Sequence, residues 1–406
     1  MSLKMKSGRN WGRLGMKFDI TQLCDVDIEV IDGDRGKNYP HQDELFDSGY
    51  CLFLSAKNVT QNGFLFGDNQ FITQEKDELL NNGNLIRGDI VITTRGTVGN
   101  VAIYSDDVPF DNIRINSGML IIRCGNNIDN YFLYQVLRSK WFYNQIISIQ
   151  SGSAQPQLPK SHFLKMTIPM PDMETQRKIA VVLSRLGDKI SVNTAINENL
   201  EQQAQAIFKS WFVDFEPFGG VMPEDWKITT LGEISEMSAG GDKPRNATEI
   251  PTIENTVPIY SNGISNEGLY GFTDKAKVVE ESVTVSARGT IGYVCLRQTP
   301  YVPIVRLITI VPKTSIISAK YIYLQLKTMN ISGTGTTQQQ LTVPNFKSTE
   351  ILTPNIAAIN KFTSIVNPMF KKIKDNKIEN QQLAELRDTL LPKLMNGEID
   401  VSEVKI

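Results

Sequence analysis

The sequence predicts a mixed α+β protein in which two similar α/β domains are joined by two long antiparallel coiled-coil helices, with pseudo-two-fold organisation. The first observation behind this is a repeated seam. Ile179, Leu183, Leu186, Ile190, Asn193, Asn197, Leu200, Ala204, Ile207 and Trp211 advance in alternating steps of four and three. So do Phe362, Val366, Met369, Ile373, Asn376, Asn380, Leu383, Arg387, Leu390 and Leu394. An apolar side chain every 3.5 positions stays on one face of a supercoiled helix, so each run reads as a coiled-coil strand. The second observation is register: each member of the first run recurs 183 residues later, Asn193 as Asn376 and Ile179 as Phe362. One repeat is used twice. The third observation is polar. Asn193 and Asn197 sit mid-seam and match Asn376 and Asn380. A seam asparagine weakens packing but fixes register, because it needs a hydrogen-bonding partner at its own level. Antiparallel helices let the central asparagines of one meet those of the other. The alternative is that each helix packs on its own globular neighbour with its asparagines facing water.

A helix of this kind, ~40 residues long, spans about 60 Å, which is the scale of a spacer. Pro171 and Asp172 suit the start of the first helix, and Pro354 and Asn355 the start of the second. Pro368 lies inside the second seam and lacks the donor for an i→i−4 bond. It predicts a kink or interruption near Asn367. Pro392 lies near the end of the same helix.

The chain therefore divides into a first domain at residues 1–171, a spacer helix at 172–216, a second domain at 217–353, and a second helix with a C-terminal tail at 354–406. In the first domain, strand-like runs at 51–54, 63–66, 89–94, 100–104 and 119–123 alternate with turn residues. Helical spacing at 130–148 puts Tyr131, Tyr134, Leu137, Trp141 and Ile146 on one face. The Arg95-Gly96-Thr97-Val98-Gly99 loop has glycines that permit a left-handed backbone and close approach. A polar segment from Ser151 to Pro159 follows, holding Gln155 and Gln157, and then a short strand at 165–169. After a breaker-rich linker at 214–220 the landmarks return: strands at 282–286, 293–297 and 307–311, the loop Arg288-Gly289-Thr290-Ile291-Gly292, a helix at 319–328, and the segment Gln338-Gln339-Gln340-Leu341. Much of the sequence between landmarks differs, so a shared scaffold carries two different surfaces.

Composition and motifs exclude several function classes. At 41% hydrophobic and 21% charged, the chain reads as soluble and globular. No apolar run reaches the ~18 residues of a membrane span, and the N-terminus lacks a signal-peptide pattern. Cys24, Cys51, Cys124 and Cys295 are scattered, as reduced thiols of a cytoplasmic protein would be, and His41 and His162 are the only histidines. A zinc or iron site is not expected. No Gly-Lys-Ser/Thr phosphate loop, methyltransferase motif or organised nuclease carboxylates occur, so no catalytic residue and no cofactor is assigned. The net charge of −2 argues against coating nucleic acid by bulk charge, so a DNA reader would need local basic patches or partner subunits.

The two Arg-Gly-Thr loops, the glutamine-rich segments ending in Leu158 and Leu341, and the paired long helices together resemble the DNA-specificity subunit of type I restriction–modification systems, over nearly the whole chain. That resemblance implies that each globular region is a target recognition domain of mixed α/β fold, reading one half of a split double-stranded DNA sequence. It also implies that the antiparallel helices set the distance between the halves. Two modification (methyltransferase) subunits would dock on the helices and restriction (helicase-nuclease) subunits would join them. S-adenosylmethionine, ATP and magnesium would belong to those partners. Two similar modules on an antiparallel coil also suit the two-fold relation of duplex grooves, whose half-sites one turn apart lie about 34 Å from each other.

Candidate DNA contacts follow. Arg95 and Arg288 in the matched loops suit a phosphate or a guanine; the alternative is a clamp on the domain's own backbone or a carboxylate. Thr97 and Thr290 lie beside them. Gln155, Gln157, Gln338, Gln339 and Gln340 can hydrogen-bond bases or phosphates, or be polar loop residues before a strand. Lys160 suits a phosphate, and Lys243 and Arg245 lie in a divergent loop where sequence reading is expected. Asn193, Asn197, Asn376 and Asn380 are assigned to helix–helix register. Trp211, Phe212, Phe215 and Phe218 read as packing between coil and second domain, or as a docking patch for a modification subunit. The competing function is a protein-interaction scaffold that holds two copies of a partner without reading DNA.

Overall fold

Short β-rich runs bounded by turn residues, each landmark occurring twice, become short strands in the computed structural model, which describes residues 18–61, 63–150, 157–333 and 340–405. Two compact units result. One takes the described chain up to Ser191 and from Asn380 onward, the other Val192–Glu379.

The first unit runs β1 (Asp19–Gln22), β2 (Ile28–Asp32), β3 (Cys51–Leu54), β4 (Val59–Thr60), β5 (Gly63–Phe64), β6 (Phe71–Ile72), α1 (Gln74–Leu79), β7 (Ile90–Thr93), β8 (Val101–Ile103), β9 (Ile113–Ile115), β10 (Met119–Cys124), α2 (Asn130–Arg138), α3 (Lys140–Gln150), α4 (Lys160–Phe163) and β11 (Thr167–Met170), then enters α5 (Met173–Phe212). An antiparallel sheet of order β2-β10-β7-β8 is central. Because strand side chains alternate faces, Ile90, Ile92, Leu120 and Ile122 pack with α2 and α3. Val91, Met119 and Ile121 face the opposite way, into a core shared with Leu52, Leu54 and Ile113. A three-stranded sheet, β6-β3-β9, holds one parallel pair, β3 with β9. Strands β1 and β11 form a separate antiparallel pair.

The second unit repeats the plan with β12 (Lys227–Thr230), α6 (Leu231–Ile234), β13 (Ser235–Ala239), β14 (Val257–Tyr260), β15 (Leu269–Thr273), β16 (Ser282–Val285), β17 (Val294–Arg297), β18 (Val302–Pro303), β19 (Ile308–Pro312), α7 (Ala319–Lys327), α8 (Val343–Lys347) and β20 (Glu350–Thr353), then α9 (Ile356–Met395). Its sheets are β13-β19-β16-β17, β15-β14-β18 and β12-β20, with β14 parallel to β18.

The two seams are 40-residue helices. Asp172 Oδ1 accepts from Thr175 N at 2.8 Å and Asn355 Oδ1 from Ala358 N at 2.8 Å, which caps both starts. Within the second unit the helices run antiparallel: Asn197 meets Asn376, and fifteen residues further along α5 Phe212 meets Phe362. Within the first unit Asn380 reaches Ile190, and Leu391 and Leu394 share a core with Ile179 and Leu183.

Two local expectations are corrected. The helix at 130–148 is broken at Ser139, whose Oγ accepts from Phe142 N at 3.0 Å and so starts a new helix; Tyr131 turns to solvent. The interruption expected at Pro368 does not occur: α9 is helical from Ile356 to Met395. Pro368 and Ser364 are both exposed, so water can satisfy the Ser364 carbonyl that the proline cannot. Phe362, Val366 and Phe370, buried on the opposite face, hold the helix in place.

Candidate nucleic-acid interface

In each unit, four segments converge at one edge of the central sheet. The first is the loop between β7 and β8, or between β16 and β17. Gly96 and Gly99 have φ of 72° and 92°, and Gly289 and Gly292 have 69° and 83°, a left-handed backbone that glycine adopts freely. A Cβ on Gly292 would lie 2.7 Å from the Ile331 carbonyl oxygen. The turn closes through Gly99 N to Thr93 O at 2.9 Å and Gly292 N to Ser286 O at 3.0 Å.

The second segment is the end of the glutamine-rich stretch. Leu158 N donates to Thr94 O at 3.0 Å, and Leu341 N donates to Ala287 O at 3.0 Å. Both leucines are buried, so Leu158 and Leu341 are each pinned beside the arginine loop of their unit. Gln157 is exposed, Gln340 half-buried, and Arg288 Nη2 donates to Gln340 Oε1 at 3.2 Å. Gln155, Gln338 and Gln339 lie outside the described residues.

The third and fourth segments are the turns after β2 and β13 and those before β10 and β19. Gly33 and Gly240 let them touch: added Cβ atoms would lie 2.1 Å from Asn116 O and 2.7 Å from Ile304 N. In the first unit Thr94 N and Arg95 N both donate to Gly118 O, at 2.7 and 3.2 Å. Arg35 donates to Ser117 O and pairs with Asp32 at 3.0 Å. Asp34 accepts from Gly36 N at 2.7 Å and Asn81 N at 2.8 Å, and these amides, Gly36 foremost, hold its carboxyl below the ordinary value. In the second unit Asn262 Oδ1 accepts from Ala287 N at 2.7 Å while its Nδ2 donates to Val305 O at 2.6 Å. Val305 N and Arg306 N donate to Gly241 O and Gly240 O at 2.9 Å each. Behind this edge the Arg297 guanidinium carbon stacks 3.6 Å from the Tyr260 ring centroid, and burial pushes the Tyr260 phenol up.

The structure thus brings Arg95, Thr97 and Gln157 to one edge of the first unit, and Arg288, Thr290 and Gln340 to the matching edge of the second. The arginines and threonines are exposed, and the Arg95 guanidinium makes no hydrogen bond or ion pair among the described residues. Lys160 is exposed, and its ammonium donates to the Val30 carbonyl. Lys243 lies over Tyr270, Nζ 5.0 Å from the ring centroid, and Arg245 is exposed nearby. Asn193 and Asn376 are fully buried in the seam, Asn193 donating to Glu379 and Asn376 to Asn197, both at 2.8 Å; Asn380 donates to the Ile190 carbonyl. Trp211, Phe212, Phe215 and Phe218 pack with Trp226, Tyr321 and Phe362 in the second unit's core. Sequence reasoning missed Arg35 and Arg306, which reach this edge from turns; the short Gly-Asp-basic pattern shared by Gly33-Asp34-Arg35 and Gly241-Asp242-Lys243 was the one signal for Arg35.

The model for the type I restriction modification DNA specificity domain matches the chain twice, over residues 16–202 and 223–387. The chain belongs to that family. Sequence-specific DNA recognition is accordingly its role, and the two matches coincide with the internal repeat. The MjaIX specificity subunit of Methanocaldococcus jannaschii is 28% identical over 351 residues, covering 78% of this chain and 79% of the relative. The HindI specificity subunit of Haemophilus influenzae is 25% identical, covering 90% and 98%. A solved type I S subunit from M. genitalium shares the fold, with a TM-score of 0.55 at 17% identity over 97% of this chain and 99% of that one. Among the described residues of this specificity-family chain, no helix is long and apolar enough to cross a membrane, and no cluster of three His, Cys, Asp or Glu could hold a metal.

Proposed function

We propose that the chain reads a bipartite duplex target, each four-segment edge contacting one half, and directs methyltransferase and restriction subunits to it without catalysis of its own. On this reading residues 1–171 and 217–353 are the recognition domains, and 172–216 and 354–406 supply the spacer helices and tail. Two modification subunits dock, and the chain itself needs no cofactor and works in the cytoplasm. One observation carries the proposal: the same edge is built twice from one repeat, with matched backbone bonds at Leu158 and Leu341 but unlike side chains around them. A shared frame with different side chains is what an asymmetric two-part sequence requires.

The experiment is selection of bound duplexes from a random library by the full chain together with its methyltransferase subunit. Two short motifs separated by a constant gap are expected, with binding that falls steeply as salt rises. Inserting one heptad into both long helices should widen the preferred gap by about three base pairs, since seven residues add about 10 Å. A single motif, or a gap that varies freely, would sink the reading.

A further inference from the structure

We propose that Arg306 reads a base, guanine by preference, in the half-site addressed by the second unit; the inference rests on the DNA-reading function above. Val305 and Arg306 both have left-handed backbone, with φ of 51° and 62°. That conformation disfavours any side chain with a Cβ and a β-branched one most. Glycine would serve a merely structural turn better. Strained residues persist where their surroundings over-determine them, and such places cluster at functional sites. Here both amides are bonded to the Gly240–Gly241 turn and the Val305 carbonyl is held by Asn262. Both side chains are exposed at the tip, and the Arg306 guanidinium makes no hydrogen bond or ion pair among the described residues.

Asn262 makes this turn part of the reading edge. Its other end takes the Ala287 amide, one residue before Arg288, so one side chain positions the backbone beneath both arginines. The first unit lacks the device. Its turn between β9 and β10 is Asn116-Ser117-Gly118, and Ala56 stands two residues after β3, where Asn262 stands after β14. Among the described residues the strained arginine and its staple belong to the second unit alone, as two edges reading different halves require. A phosphate contact tolerates a mobile cation. A forked contact to guanine O6 and N7 needs the Cα held in place, and these backbone bonds hold it.

The test repeats the duplex selection with Arg306→Ala in the full chain. The side chain is exposed, so the variant should melt like the wild type. Preference at one or two adjacent positions of one half should fall roughly ten- to a hundredfold, with the other half and the gap unchanged. A uniform loss of affinity with an intact motif would make Arg306 a phosphate contact and overturn the proposal, as would no change at all. If the wild-type chain selects no motif, the DNA-reading function fails and this assignment falls with it. If the wild-type motif survives Arg306→Ala, only the assignment falls.

Discussion

Asn376 is fully buried, donates to Asn197, and its Oδ1 has no hydrogen-bond partner among the described residues. An apolar residue would pack better there, so the polar layer is explained by register rather than by stability. Asn376→Ala should strip Asn197 of its donor and destabilise by about 1–3 kcal/mol, read from urea unfolding midpoints. Asp34 makes a pH prediction. Its carboxyl is held below the ordinary 3.8, chiefly by the Gly36 amide. A depressed folded value means the contribution is fully present above 3.8 and fades as pH falls through the folded value. Asp34→Asn turns one acceptor into a donor facing a backbone N–H. It should cost about 1–3 kcal/mol at neutral pH, and as pH falls below 3.8 the variant should lose less further stability than the wild type.

At the level of elements, α9 tolerates Pro368 because the lost bond faces water while Phe362, Val366 and Phe370 stay packed. Pro368→Ala restores the donor to Ser364 and should raise stability by about 1–3 kcal/mol, seen as a higher melting temperature. An unchanged or lower melting temperature would show that the proline serves the helix. The seams, their caps and the paired glycine loops were legible in the sequence because period, cap chemistry and positive φ are local properties. The Ser139 break was not, since one serine hydroxyl decides between a continuing helix and a new start. Nor was the parallel pairing of β3 with β9, which depends on contacts some 60 residues apart. Of the candidate site, the two arginine loops and their glutamine neighbours were legible as motifs. The bond from the Lys160 ammonium to a backbone carbonyl was not legible, because no spacing rule reveals it. Arg306 was invisible because nothing in Val305-Arg306 signals a left-handed turn.

For the whole molecule, the decisive feature is that each long helix begins in one compact unit and ends in the other. The core of the first unit contains Leu391, Leu394, Met395 and Val401 beside Ile179, Leu183 and Phe132. Ending the chain at Leu390 should therefore unfold the first unit, because each such deletion costs about 2–5 kcal/mol against a total of about 5–15. Hydrogen exchange should show residues 128–190 losing protection while 282–326 keep it; protection retained in both would contradict the shared core. The same feature governs birth on the ribosome. Ser191 emerges about 210 residues before Val401, a delay of roughly 10–40 s at ordinary translation speeds. Throughout that delay the nascent first unit exposes a greasy face with nothing to cover it, an invitation to chaperones. The second unit has all its parts once Glu379 is made, so the portion synthesised first is the one completed last.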